Sequence, residues 1–306
     1  MEKQLKNIIK ISYKQLYRNE QKKKQELEIH LENKNNELDK LKLLLKSKEE
    51  ELEKIKIKSL SYINSQTAKN GYKEEEFICK DLNNELIKQA LMPILGNNYD
   101  KCNKITGNHK CDIQSDNKIM KGQVKKYKQG QFQQLDKQWI SNIIKNIPEL
   151  NDASQMLKDL FEYPLLPNGT HINKNKNIKK LCNYNYSQEI LDKFLNLLNK
   201  FKKQILEYAF LGSNLEMQPE YLFGVKYENK KRSEIIVFKI KDIISYLEKL
   251  NFKISPRKTA ILLGNKGTIS LQRKGGDCGR KSSNQLQIKI ILSNIIDKVS
   301  NSNYKL

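Results

Sequence analysis

The chain has 306 residues, enough for one large domain or two smaller ones. A hydrophobic fraction of 38%, with 14 Tyr and 9 Phe, can build a core and argues against wholesale disorder, and no apolar run approaches the ~20 residues needed to span a bilayer. The 57 Lys and Arg set against 35 Asp and Glu leave a formal net charge of +22, which calls for a polyanionic partner, nucleic acid first.

The segment Arg18 to Leu60 has no proline or glycine and is dense in Lys, Glu and Leu, a helix-forming composition. Leu31, Leu38, Leu45 and Leu52 recur every seven residues, and Leu27, Leu41 and Ile55 mark a second offset that Lys34 and Lys48 interrupt. That seam reads as a coiled coil, a dimerisation arm that would make the protein a homodimer. The competing reading is a single amphipathic helix packed back on its own domain. The polar opening Met1-Glu2-Lys3-Gln4-Leu5-Lys6 has no apolar signal core, so secretion is not expected. Five cysteines with no Cys-x-x-Cys pair argue against a disulfide framework and a zinc finger. An intracellular setting follows, whether cytoplasmic, nuclear or viral, with no membrane association.

Between Ser61 and Asn70 the helical pattern gives way to Ser, Asn, Gln and Thr, which sets a domain boundary near Ser61. A new helix is expected from Gly71 through Glu75, Phe77, Ile78, Leu82 and Leu86. After Pro93, Cys111 to Gln114 and Ile119 to Tyr127 flank the turn Ser115-Asp116-Asn117-Lys118 and predict a hairpin. The spacing of Phe132, Leu135, Trp139, Ile143 and Ile144 predicts a helix over 131–147. Residues 151–214 read as a helical insertion, with an amphipathic helix from Gln188 to Phe210. Beyond it, strands are expected at 221–227, 234–240, 259–263, 268–272 and 285–292, with a helix over 242–250.

In the predicted hairpin, Asp112 lies on one arm and Gln123-Val124-Lys125 on the other. Residues 123 and 125 share a strand face, so a carboxylate, an amide oxygen and an ammonium can converge. Hard oxygen ligands for Mg²⁺ and a cation that orients water are what phosphodiester hydrolysis requires.

These residues resemble the PD-(D/E)xK nuclease superfamily, the fold of many type II restriction endonucleases. The resemblance rests on Gly71 and Glu75 in the preceding helix, Asp112, Gln123-Val124-Lys125 with Lys126-Tyr127, and a following helix bearing Gln133 and Gln134. It covers about a quarter of the chain, from Gly71 to about Ile147. It implies Asp112 as central metal ligand, Lys125 as the residue that orients or activates water, Gln123 and the Val124 carbonyl as further ligands, and Glu75 as support from the helix, with Glu74 and Glu76 as rivals. Two positions depart from the pattern: Cys111 stands where proline is usual, and Gln123 where an acidic residue is usual.

A second informative segment is Gln272 to Gln285. Arg273, Lys274, Arg280 and Lys281 could clamp phosphates, Asn284 and Gln285 could bond base edges, and the intervening glycines let backbone approach a groove. An ordinary solvated turn is the alternative. Lys126 is a further candidate DNA contact.

The expected architecture is α/β: a restriction endonuclease-like core with a mixed β-sheet flanked by helices, plus an N-terminal coiled-coil helix. The division is a helical arm (1–60), a nuclease core (61–150), a helical insertion (151–214) and a DNA-contacting α/β region (215–306). The expected function is Mg²⁺-dependent hydrolysis of double-stranded DNA by a sequence-specific type II restriction endonuclease. The alternatives are a structure-selective repair or recombination nuclease, and a non-catalytic DNA-binding or packaging protein with a decayed metal site.

Overall fold

The structure, a computed structural model, describes residues 2–96, 98–107, 110–161, 187–256, 260–264, 267–274 and 285–306. Its contacts divide the chain into two compact units, residues 1–63 and 64–306. The described part of the first unit is helix throughout.

Helix α1 runs Glu2–Leu82 without the break expected at Ser61–Asn70. Isolated Ser, Asn and Thr each cost at most about 0.7 kcal/mol of helix propensity and glycine about 1, too little to stop a long helix. The helix ends at Leu82, and Asn84 then caps α2 (Glu85–Leu95) by accepting from the backbone N–H groups of Leu86 and Ile87 at 3.0 and 3.4 Å.

The second unit holds two sheets. The first contains β1 (Cys102–Lys104), β2 (Ile113–Ser115), β3 (Lys121–Tyr127), β5 (Tyr221–Glu228), β6 (Lys231–Lys239) and β11 (Asn301–Lys305), in the order β1-β2-β3-β5-β6-β11. Only β3 and β5 pair in parallel, so this sheet is mixed. The second sheet is antiparallel, in the order β4-β10-β9-β8-β7, from β4 (Gln133–Gln138), β7 (Phe252–Ile254), β8 (Ile261–Leu263), β9 (Ile269–Arg273) and β10 (Leu286–Ile290).

Both faces of the first sheet are buried, and the strand period decides which side chain goes where. Phe223, Val225, Ile235 and Val237 pack with Ile78 and Leu82 of α1 and Ile87 and Leu91 of α2. Their neighbours Leu222, Ile236 and Phe238 enter a larger core with the second sheet and with helices α3 (Ile140–Asn146), α4 (Ser154–Phe161), α5 (Gln188–Lys200), α6 (Lys202–Leu211) and α7 (Ile240–Glu248). The resulting α/β architecture, a mixed sheet flanked by helices after a long N-terminal helix, is the one expected.

Two further local expectations are corrected. Residues 131–147 form strand β4 followed by the short helix α3, not one helix. Phe132, Leu135 and Trp139 satisfy a helical period, but pairing with β10 recruits Gln133–Gln138 into the sheet, where Gln133, Leu135 and Asp136 are buried. The amphipathic stretch 188–210 is likewise two helices, α5 and α6, that meet at Phe201. Residues 162–186 of the expected helical insertion lie outside the described residues.

Candidate active site

Strand β3 carries the site. It pairs antiparallel with β2 so that Ile113 faces Gly122, and the Asp112 N–H donates to the Gly122 carbonyl at 2.8 Å. The Val124 N–H in turn donates to Asp112 Oδ2 at 2.7 Å, which fixes the carboxylate against the strand. Gly122 is required here, since a Cβ would lie 2.5 Å from Phe223 Cε2. Cys111, the residue before Asp112, is buried, and burial pushes its thiol up to about 11.

Alternation on β3 separates the candidates. Gln123 and Lys125 point into a cleft of about 600 Å³ that Asp112 also lines. Gln123 is 2% exposed, and its Oε1 has no hydrogen-bond partner among the described residues. A buried amide oxygen without a donor is costly unless a ligand engages it, and it is the type of atom a hard divalent cation takes. No group of three or more His, Cys, Asp and Glu suited to a metal occurs among the described residues. The oxygens that line this cleft on the β3 side are the Asp112 carboxylate and the Gln123 amide.

The three glutamates of α1 part company. Burial first, and then the Asp112 carboxylate, pushes Glu75 above the ordinary carboxylate value, while Lys104 and Lys125 pull it back. Glu75 therefore shares the electrostatic field of Asp112 and Lys125. Glu76 pairs with Lys104 at 3.2 Å. Glu74 is 2% exposed and takes Lys126 and Arg232, each at 3.0 Å, and the Tyr227 hydroxyl, which donates to it.

Lys126 therefore sits on the face of β3 opposite Lys125, in an ion pair and over the Tyr227 ring at 4.7 Å, rather than in the cleft. Arg273 departs further from the expected phosphate clamp. It lies on β9 at 1% exposure, too buried to meet a DNA backbone in this structure, because β9 is covered by neighbouring strands and helices. Lys274 and Gln285 close the base of the β9–β10 hairpin, with the Lys274 N–H donating to the Gln285 carbonyl at 2.9 Å. Arg280, Lys281 and Asn284 lie outside the described residues.

Apart from Gln134, the opposite wall of the cleft escaped the sequence reading. It is built by Gln134, Asp136, Lys137 and Gln138 of β4 and by Asn142, Lys145 and Asn146 of α3. Lys110 bridges the walls: its ammonium donates to the Leu135 carbonyl at 2.8 Å and pairs with Asp136 at 3.1 Å. Burial pushes Lys110 below the ordinary lysine value, and nearby Lys125 lowers it further, while Asp136 opposes the shift. Its stem passes over Gly212, whose φ of +73° and whose Cβ position, 2.9 Å from Lys110 Cγ, both demand glycine. A lysine two positions before Asp112 was the available signal. The wall itself could not be assembled while 131–147 read as helix.

The family model described as R.HinP1I restriction endonuclease matches residues 98–296, a span that includes Asp112, Gln123 and Lys125. Among solved structures, the chain is similar to the restriction endonuclease MspI in complex with its cognate DNA, at 12% identity and a TM-score of 0.46 over 71% of this chain and 87% of that one. None of the curated proteins compared with the chain matches it. Among the described residues, no helix is long and apolar enough to cross a membrane.

Proposed function

Because the chain belongs to the R.HinP1I restriction endonuclease family, and is thus a type II restriction endonuclease-like endodeoxyribonuclease, we propose that it cuts double-stranded DNA in a Mg²⁺-dependent, sequence-specific reaction at the mouth of the β3 cleft. The observation that carries this reading is the buried Gln123 Oε1, without a hydrogen-bond partner among the described residues, in the cleft that Asp112 also lines, with Glu75 and Lys125 in the same field.

Asp112, the Gln123 amide oxygen and the Val124 carbonyl would hold the metal, with Glu75 in support. When bound, the metal supplies charge neutralisation at the phosphate and a more acidic water. The chain's own groups do the rest. The Lys125 ammonium orients the attacking water and stabilises charge building on phosphorus. The hydrogen bond from the Val124 N–H keeps Asp112 in one rotamer, and the Lys110 bridge holds the loop before Asp112 against β4. Lys137 and Lys145 line the cleft and suit a phosphate backbone, and Gln134, Gln138, Asn142 and Asn146 offer amides to base edges. Lys274 and Gln285, with Arg280, Lys281 and Asn284 in the same segment, remain candidates for further DNA contact.

Incubating the protein with plasmid and Mg²⁺, beside Asp112→Ala, and sequencing the product ends tests the proposal. One common sequence at every end, lost in the variant, is the expected result. Scattered ends would favour a structure-selective or nonspecific nuclease. Intact plasmid with Mg²⁺ and with Mn²⁺, bound in a salt-dependent way, would leave a DNA-binding protein.

A further inference from the structure

The first unit presents a row of large apolar side chains to solvent. Leu27, Leu31, Leu38, Leu41, Leu45 and Leu52 are each between 50 and 68% exposed on α1. Surface leucines occurring singly need no explanation, but a straight seam of them along one helix marks an interaction site. With Leu31, Leu38, Leu45 and Leu52 at the a position of a heptad, Leu27, Lys34, Leu41, Lys48 and Ile55 fall at d.

We infer that this seam pairs with a second copy of the chain as a parallel, in-register two-stranded coiled coil. The flanking charges choose that partner and that direction. In a parallel pair, each g residue faces the e residue five positions later on the partner. Lys23 then faces Glu28, Glu37 faces Lys42 and Glu51 faces Lys56, and no like charges meet. The antiparallel alignment that spans the same seam, with Leu31 opposite Ile55, sets Glu37 against Glu51 and Lys42 against its own copy.

The two lysines in the seam are already accommodated. Lys34 pairs with Glu37 at 2.9 Å and Lys48 with Glu51 at 2.8 Å, so each d-site ammonium is neutralised within its own helix by the g residue that flanks the interface. In a dimer these long stems can lie along the seam with the ammonium groups in water, whereas a trimer or tetramer would enclose them. The lysines thus cost affinity and select two strands.

The pairing does not depend on the nuclease reading. Its consequence does: each chain has one candidate site, and joining two chains would supply the two sites that a concerted double-strand cut needs. The mass of the full chain by light scattering at micromolar concentration, without DNA or metal, tests the association separately from activity. Twice 35.9 kDa is expected, with Leu38→Lys/Leu45→Lys falling to one chain's mass while Trp139 emission reports an unchanged second unit. Lys34→Leu/Lys48→Leu should tighten the pair on the order of tenfold or more. Oxidation distinguishes the directions: Leu31→Cys should cross-link with itself beyond the unsubstituted chain. A monomer, a higher oligomer, or cross-linking only when Leu31→Cys is mixed with Ile55→Cys would overturn the inference.

Discussion

Replacing Gln123 by methionine separates the stability of the site from its chemistry. The Gln123 Oε1 is buried without a hydrogen-bond partner among the described residues. Such an acceptor costs about 1–3 kcal/mol in the folded state. Methionine has similar length and no oxygen to desolvate, and a volume-conserving change of this kind costs less than about 1.5 kcal/mol in packing. The metal-free variant should therefore be more stable than the parent by roughly 1–2 kcal/mol, which for a unit of this size raises the melting temperature by about 2–8 °C. Scanning calorimetry with and without Mg²⁺ reads both halves of the argument. The parent should gain stability with Mg²⁺, up to about 2.7 kcal/mol at a hundredfold excess over Kd, and the variant should gain none and cut no DNA. A metal-free variant less stable than the parent would mean that the amide oxygen is satisfied in the folded protein. The assignment of Gln123 to a metal would then lose its basis.

Asp112→Ala and Lys125→Ala should each reduce cleavage at least about 100-fold while DNA binding, followed by fluorescence anisotropy, stays within a few-fold. Glu74→Gln should destabilise the protein by about 1–3 kcal/mol in urea unfolding, because it removes the buried carboxylate from Lys126, which water can still reach, and from Arg232, which keeps Asp81. Glu75→Gln should behave oppositely, losing activity without losing stability. The raised Glu75 value means that the folded state binds this proton more tightly, so its contribution is complete below the ordinary value of 4.5 and fades as pH rises through the folded one. Metal-free Glu75→Gln should accordingly match the parent below that pH and exceed it near neutrality; a deficit there would refute the sign. The buried thiols of Cys79, Cys102 and Cys111 should resist alkylation at pH 8 in the native protein and react once it is unfolded, as peptide mass mapping would show.

Much of the placement of the candidate site was legible because it sits on short-range geometry. An aspartate, a turn and Gln-Val-Lys are close in sequence, and antiparallel pairing across one hairpin brings them together with few alternatives. The α1 glutamates needed more. Three consecutive carboxylates face three directions on a helix, and only the packing of that helix against the first sheet turned Glu74 to Arg232 and left Glu75 in the electrostatic field of Asp112. Arg273 shows the same limit, since its sequence context is a basic loop while its strand is interior.

By itself the sequence determined the helix over 18–60, the β2–β3 hairpin with its Asp, Gln and Lys, the β5–β6 hairpin, and the heptad seam with its charge pattern, but not the continuity of α1 through 61–70. Each is a local or periodic property, set by propensity, turn residues and side-chain direction. The tertiary structure decided that β3 pairs in parallel with β5, a strand about a hundred residues later, and that 133–138 joins a second sheet. It thereby decided what faces Asp112 across the cleft. Partners so distant in sequence leave no periodic trace, because their pairing is chosen by which buried surfaces fit together once both strands exist.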